Sequence, residues 1–247
     1  MYDDFAGVYD TLMDDYDYDA WSAYYLSLID DMLEERPARM AECACGTGSL
    51  TVRFARSGLS VTGVDLSASM LRRAEEKARR WGVNAAFVRQ DMKKLTLPRK
   101  VGAVLATCDG VNYLLTREDI KAFFECVFRS LKPSSPFAFD ISNEEKLKKM
   151  GETYLYGEDR EDSAYLWTNE YDENTRLINM NLTFFVEEAD GRFSRFTESH
   201  TQRAHRVSEI KELLYEVGFT DVRVFGGDEG ESEGPGGKRV YFLAKKP

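Results

Sequence analysis

From residue 39 to residue 142, short apolar runs alternate with amphipathic stretches, joined by connections of a few residues. No other feature of the chain constrains its fold as strongly. The pattern predicts strands at 39–45, 60–65, 84–91, 101–108 and 136–142. It predicts helices at 48–57, at 68–81 and from Thr116 to about Leu131, and an earlier one at 20–35 limited by Pro37. Ser67 and Thr116 are suited to cap helix starts, and Gly58 and Gly82 to end helices. Strand and helix in strict turn, with short loops, imply βαβ units and a parallel sheet.

The pattern changes after about residue 150. The stretch "SAYLWTNEYDENTRLINMNLTFFVEEADGRFSRFTESHTQRAH" alternates apolar and polar with period two. Asp172-Glu173-Asn174 and Asp190-Gly191 punctuate it as hairpin turns. This predicts an antiparallel β meander inserted into an α/β domain. The α/β pattern then resumes with an amphipathic helix in "VSEIKELLYEVGF" ending at Gly218, and two strands in "DVRVFGG" and "RVYFLAKK". The tract "GGDEGESEGPGG" at 226–237 separates those strands as a solvated loop. The expected division is a core of residues 1–142 and 207–247, with residues 143–206 as a β-rich insert.

Composition narrows the functional classes. A chain of 247 residues with 43% hydrophobic content can bury a sizeable core. It has no apolar run of about 18 residues, so no membrane span is expected. The acidic start "MYDDFAGVYD" lacks the basic and apolar regions of a signal peptide, which predicts a cytoplasmic protein. Cys43, Cys45, Cys108 and Cys126 fall in apolar segments and read as reduced thiols. Cys43 and Cys45 lie in an apolar run with no further ligand-type residues spaced for a metal, so no metal site is expected. The formal charge of −10 disfavours a polyanionic partner such as nucleic acid, and the Asp run at 14, 15, 17 and 19 reads as a solvated face.

The first strand runs into "AECACGTGSL". A phosphate-binding P-loop requires Lys after its last glycine, and none follows Gly48. A dinucleotide fingerprint requires a third glycine where Thr51 stands. Asp65 ends the second strand, placed to accept hydrogen bonds from ribose hydroxyls. Asp91 follows the third strand in "VRQDM", where its carboxylate suits an adenine amino group and Met92 an apolar wall. Three such positions at one sheet edge describe a nucleoside site that does not rely on phosphates.

On these residues the chain resembles the class I S-adenosylmethionine-dependent methyltransferases. The family's glycine motif is matched by Glu42-x-Ala44-x-Gly46-x-Gly48, with Ala44 in place of its first glycine. Its ribose-binding acid maps to Asp65 and its adenine-binding acid to Asp91. "SLKPSSPFAFDI" and "LLYEVGFTDVRVF…RVYFLAKK" resemble the later core. "FAGVYDTLMDDYDYDAW" is similar to the front of bacterial YqeM-like members. The resemblance implies a Rossmann-like seven-stranded sheet whose last strand is antiparallel, carrying the β meander and an N-terminal helical lid. It implies S-adenosyl-L-methionine as cofactor and a cofactor set of Tyr9, Trp21, Ala44, Gly46, Gly48, Asp65, Met70, Asp91, Met92 and Cys108.

Such an enzyme aligns acceptor, methyl and sulfur and excludes water; it requires no nucleophilic side chain. The expected function is methyl transfer to N or O of a small-molecule acceptor, recognised by the insert, the lid and the loop "CDGVNYLL". Asp109, Asn112 and Tyr113 are candidates to line the acceptor pocket, and His200, Tyr113 and Asp109 for proton handling. His200 and His205 are read as opposite faces of the last insert strand, with Arg203 as an alternative to His200. Alternatives are an RNA- or ribosome-directed methyltransferase, with basic residues Lys93, Lys94, Arg99 and Lys100 or Lys146, Lys148 and Lys149, and a non-catalytic cofactor-binding module. Oligomeric state is not legible.

Overall fold

The computed structural model describes residues 5–12, 16–226 and 239–247. The acidic tract after Gly226, and Asp14 and Asp15 of the Asp run, lie outside the described residues.

The main sheet contains β1 (Arg39–Cys43), β2 (Ser60–Asp65), β3 (Ala85–Arg89), β4 (Val104–Ala106), β5 (Pro136–Ser142), β10 (Thr220–Phe225) and β11 (Arg239–Lys245). Their order is β10-β11-β5-β4-β1-β2-β3. β1 pairs in parallel with β2 and β4, β2 with β3, and β4 with β5, while β11 runs antiparallel to β5 and β10. The seven-stranded sheet with a reversed last strand is therefore present. The first, third and fourth strands are shorter than expected: the chain turns away at Ala44, at Gln90–Asp91 and at Thr107, and Val101 makes only an isolated bridge to Leu131 before β4 begins at Val104.

The helices are α1 (Phe5–Leu12), α2 (Tyr18–Asp30), α3 (Ser49–Arg56), α4 (Ala68–Trp81), α5 (Arg117–Ser130), α6 (Glu144–Glu152) and α7 (Val207–Val217). Helix α4 fits the sequence reading at both ends. Ser67 Oγ accepts from the Met70 amide at 3.3 Å, and Gly82 closes the helix in the left-handed region. Helix α2 starts earlier than expected, because Asp17 accepts from the Ala20 amide at 2.9 Å; it stops at Asp30, well short of Pro37.

The sheet is covered on both faces. Ile120, Phe123 and Phe124 of α5 and Ile210, Leu213 and Leu214 of α7 pack with Phe137, Phe139 and Phe242. Tyr25 and Ile29 of α2 and Leu50 and Phe54 of α3 pack with Met40, Val61 and Tyr241 in a second apolar cluster. Each fully buried aromatic or aliphatic side chain contributes about 1.5–3 kcal/mol of transfer free energy.

Between β5 and α7 a separate antiparallel sheet forms in the order β6-β7-β8-β9, from β6 (Leu155–Asp159), β7 (Ser163–Asp172), β8 (Leu177–Glu187) and β9 (Phe193–Arg203). Both expected hairpin turns occur. The Asp172 carboxylate accepts from the Asn174 amide at 2.8 Å, and Gly191 turns at φ 80°. Helix α6 and edge strand β6 are additional to the sequence reading. One face of this sheet, through Ile178, Met180, Leu182 and Phe184, packs on Ala6 of α1, Met70 of α4 and Leu147 of α6.

Candidate active site

The carboxyl ends of β1 to β4 surround one cavity of about 360 Å³. The turn after β1 forms its floor. Ala44, Gly46 and Gly48 take φ of 54°, 53° and 72°. Gly48 is obligatory on two counts, since a Cβ there would also lie 2.8 Å from Ala74 Cβ. Ala44 is tolerated because its neighbour gives way: a Cβ on Gly110 would come 2.8 Å from Ala44 Cβ. The missing first glycine of the motif is thus offset by a glycine in the loop after β4.

Asp65 holds the turn in place. One carboxylate oxygen accepts from the Gly46 amide at 2.8 Å, the other from the Ser67 amide at 2.9 Å. Burial pushes its carboxyl above the usual range, opposed by these amides. Its remaining lone pairs are available to cavity hydroxyls. Asp91 caps a single 3-10 turn over Met92–Lys94, accepting from the Lys93 amide at 3.0 Å, and lines the cavity with Met92.

Glu42, the acid that opens the motif, is fully buried at the back of the cavity. It accepts hydrogen bonds from Thr107 Oγ1 at 2.8 Å and from the Thr51 hydroxyl. Burial pushes its carboxyl up to about 7. Thr51 therefore has a definite task at the third-glycine position: it satisfies a buried acid. That task is specific to the folded chain and was not visible in the motif.

The far wall is aromatic. Tyr9 of α1, Tyr18 of α2, Tyr113 and His200 line it, with Cys108 and Met70. Tyr113 Oη lies 3.4 Å from His200 Nδ1, and the two rings meet edge to face with centroids 6.0 Å apart. Burial lowers the His200 pKa, which favours the neutral imidazole near pH 7.

Of the residues expected here, Tyr9, Ala44, Gly46, Asp65, Met70, Asp91, Met92, Cys108, Tyr113 and His200 line the cavity. Three do not. Trp21 is buried under the Arg239 guanidinium, 4.9 Å from its ring, and packs on Tyr241 in the core. Gly48 lies one step behind the lining, at the start of α3 against Ala74. Asp109 turns its carboxylate away to Arg239 and to Ser142 Oγ at 2.8 Å. Asn112 likewise spends its side chain on Ser142 and Arg203 backbone. His205 is a correction: it lies beyond β9, which ends at Arg203, and is buried, so it is not a strand partner of His200. Arg203 bonds Leu115 O and Glu209 rather than facing the cavity. Tyr18, Thr47, Ser49 and Thr107 belong to the lining and were not anticipated. Thr47 and Ser49 stand in and just after the glycine motif, and Tyr18 opens α2 at the end of the Asp/Tyr-rich segment.

Lys93 is the one Lys or Arg among the described lining residues, and its ammonium is 3.2 Å from Asp119 and 3.9 Å from Asp91. A polyphosphate would find few donors. A cationic nucleoside, by contrast, meets the acceptor oxygens of Asp65 and Asp91, with Glu42 buried behind them, so the lining fits S-adenosylmethionine.

Comparison with known proteins agrees. A family model described as a methyltransferase domain matches residues 40–134. The chain is 33% identical over 247 residues to YqeM of Bacillus subtilis (strain 168), a candidate methyltransferase, covering 100% of this chain and 97% of that protein. Over 136 residues, 54% of this chain and 55% of the other, it is 30% identical to a dTDP-3-amino-3,4,6-trideoxy-alpha-D-glucopyranose N,N-dimethyltransferase of Streptomyces venezuelae. A crystal structure of an S-adenosylmethionine-dependent methyltransferase from Clostridium acetobutylicum ATCC 824 superposes with a TM-score of 0.86 at 28% identity, covering 99% of this chain and 98% of that one. With the whole length aligned, and a cavity whose acids suit a cationic nucleoside, the chain belongs to the YqeM-like family of S-adenosylmethionine-dependent methyltransferases.

Proposed function

We propose that this methyltransferase acts on N or O of a small-molecule acceptor, held between the loop after β4, helix α1 and a β-rich insert of residues 143–206 that covers the acceptor site. The observation that carries the proposal is the far wall of the cavity, where Tyr9, Tyr18, Tyr113 and His200 converge. Such a wall suits an amine or hydroxy compound, through aromatic faces that attract a cation and hydroxyls that orient a lone pair. The sugar-amine N,N-dimethyltransferase similarity supports the same class.

When bound, S-adenosylmethionine supplies a methyl group on a sulfonium, activated for in-line displacement. In our reading Asp65 receives the ribose hydroxyls, Asp91 and Met92 receive the adenine, and Gly46 lets the backbone approach the methionyl part. Tyr9 and Cys108 close the cavity near the acceptor and exclude water. His200, neutral and close to Tyr113, is suited to take the acceptor's proton. Four unpaired cysteines support the reducing bacterial cytoplasm as its setting.

The test is transfer of labelled methyl from S-adenosylmethionine to a panel of small amines, amino sugars, hydroxy compounds and ribosomal RNA. Label in an amine or hydroxy compound is the expected result. Label in RNA alone overturns the acceptor class.

A further inference from the structure

Away from the carboxylates that face the cofactor, one polar cluster ties three separate segments together. The Lys77 ammonium of α4 donates to Asp10 of α1 at 3.0 Å, to Thr47 Oγ1 at 3.2 Å and to Ser49 Oγ at 2.5 Å. Thr47 Oγ1 in turn donates to Asp10 at 2.6 Å. All three ammonium protons are therefore used, each on a different residue. Lys77 is largely withdrawn from water, at 16% side-chain exposure, while Asp10 keeps 42%.

Among the described side chains of α1, Ala6 and Tyr9 pack on the cluster containing Met70, and Gly7 lies against the end of the Arg73 side chain. The Asp10 ties are the polar part of that seating. Helix α1 carries Tyr9, the residue before Asp10, into the cavity, and Thr47 and Ser49 line that cavity too.

We propose that Lys77 is a positioning residue that latches α1 to the Thr47–Ser49 turn, holds Tyr9 across the cavity, and thereby sets how long the cofactor or its demethylated product stays bound. The inference rests on the reading of this cavity as the cofactor site. Lys77 and Asp10 do not line the cavity; they fix Tyr9, Thr47 and Ser49, which do. Because Asp10 is partly solvated, the pair adds little to global stability. Its loss belongs in ligand release rates, where differences among variants of one site mostly appear.

S-adenosylhomocysteine is the probe, with the full chain measured by calorimetry and by displacement kinetics beside thermal unfolding. Lys77→Met is expected to raise the dissociation rate and Kd about tenfold with Tm within a few degrees of the parent. Asp10→Asn, on the more exposed side, should do the same and carries the test if Lys77→Met fails to fold. The double variant should be no weaker than either single, since both remove one tie. Folded single variants with parental kinetics overturn the latch, as does a double variant whose loss is the product of the two. A parent chain that does not bind S-adenosylhomocysteine overturns the cofactor-cavity reading itself.

Discussion

Asp65 serves two parties with one carboxylate. Its oxygens fix the Gly46 and Ser67 amides, and the lone pairs left over face the cavity. Asp65→Ala removes an acceptor from two amides and, in the proposed cofactor pose, from the ribose. It should weaken S-adenosylmethionine binding by about 1–3 kcal/mol in calorimetry, the usual loss when buried partners are left unpaired. Glu42 differs in kind, because its folded pKa near 7 lies above the ordinary carboxylate value. The folded state therefore holds the proton more tightly than the unfolded chain. The Glu42 contribution to stability is fully present at low pH and is lost between about pH 4.5 and 7, by an amount on the order of 3 kcal/mol. Glu42→Gln keeps the shape and an acceptor for Thr51 or Thr107. Its urea-unfolding free energy should lack that decline, so that the variant gains on the parent as pH rises from 5 to 8.

At the level of elements, the turn after β1 and the loop after β4 are packed as a matched pair. Ala44 sits in the left-handed region because Gly110 leaves room for its methyl. Gly110→Ala forces two Cβ atoms within 2.8 Å. It should destabilise the chain by about 1–3 kcal/mol in denaturant titration. Ala44→Gly in the same chain should recover most of that loss, which independent sites would not allow. This complementarity also marks the limit of what the sequence makes legible. The glycine motif, Asp65, Asp91, both caps of α4 and the meander turns are local patterns, and each appears where its spacing puts it. Helix α6 carries start signals, the Asn143 cap and Glu144 and Glu145 in its first turn, but Leu147 is its only buried residue, so its apolar face is short and easily passed over; β6 is exposed along almost its whole length. An exposed strand of that kind has no alternation to distinguish it from loop. Tyr18 and Thr107 reach the cavity only because distant elements meet there.

The least legible part of the molecule is a charge cluster that spans it. Arg239 at the start of β11 is buried against Asp109 of the loop after β4 and Asp140 of β5, with Tyr16 Oη at 3.1 Å and the Trp21 ring beneath. Tyr25 of α2 donates to Asp140 from the other side. Asp109 and Arg239 are 130 positions apart, so no spacing rule links them. The family resemblance points Trp21 to the cavity and the loop after β4 points Asp109 there, but the cluster claims both. Burial opposes charge on both acids, but Arg239 holds Asp109 below its ordinary range while burial keeps Asp140 above it. Such a cluster stabilises little compared with apolar packing, yet breaking it strands charge in the core. Arg239→Met should therefore cost about 3–5 kcal/mol at pH 8. Without the guanidinium, both folded carboxyls rise above their unfolded values and take up protons more readily. The variant's stability is then fullest at low pH and declines as the pH rises through those raised values, so its deficit against the parent should be smaller at pH 5 than at pH 8. Urea unfolding at the two pH values measures this, and an equal deficit at both would mean that Arg239 does not neutralise the pair.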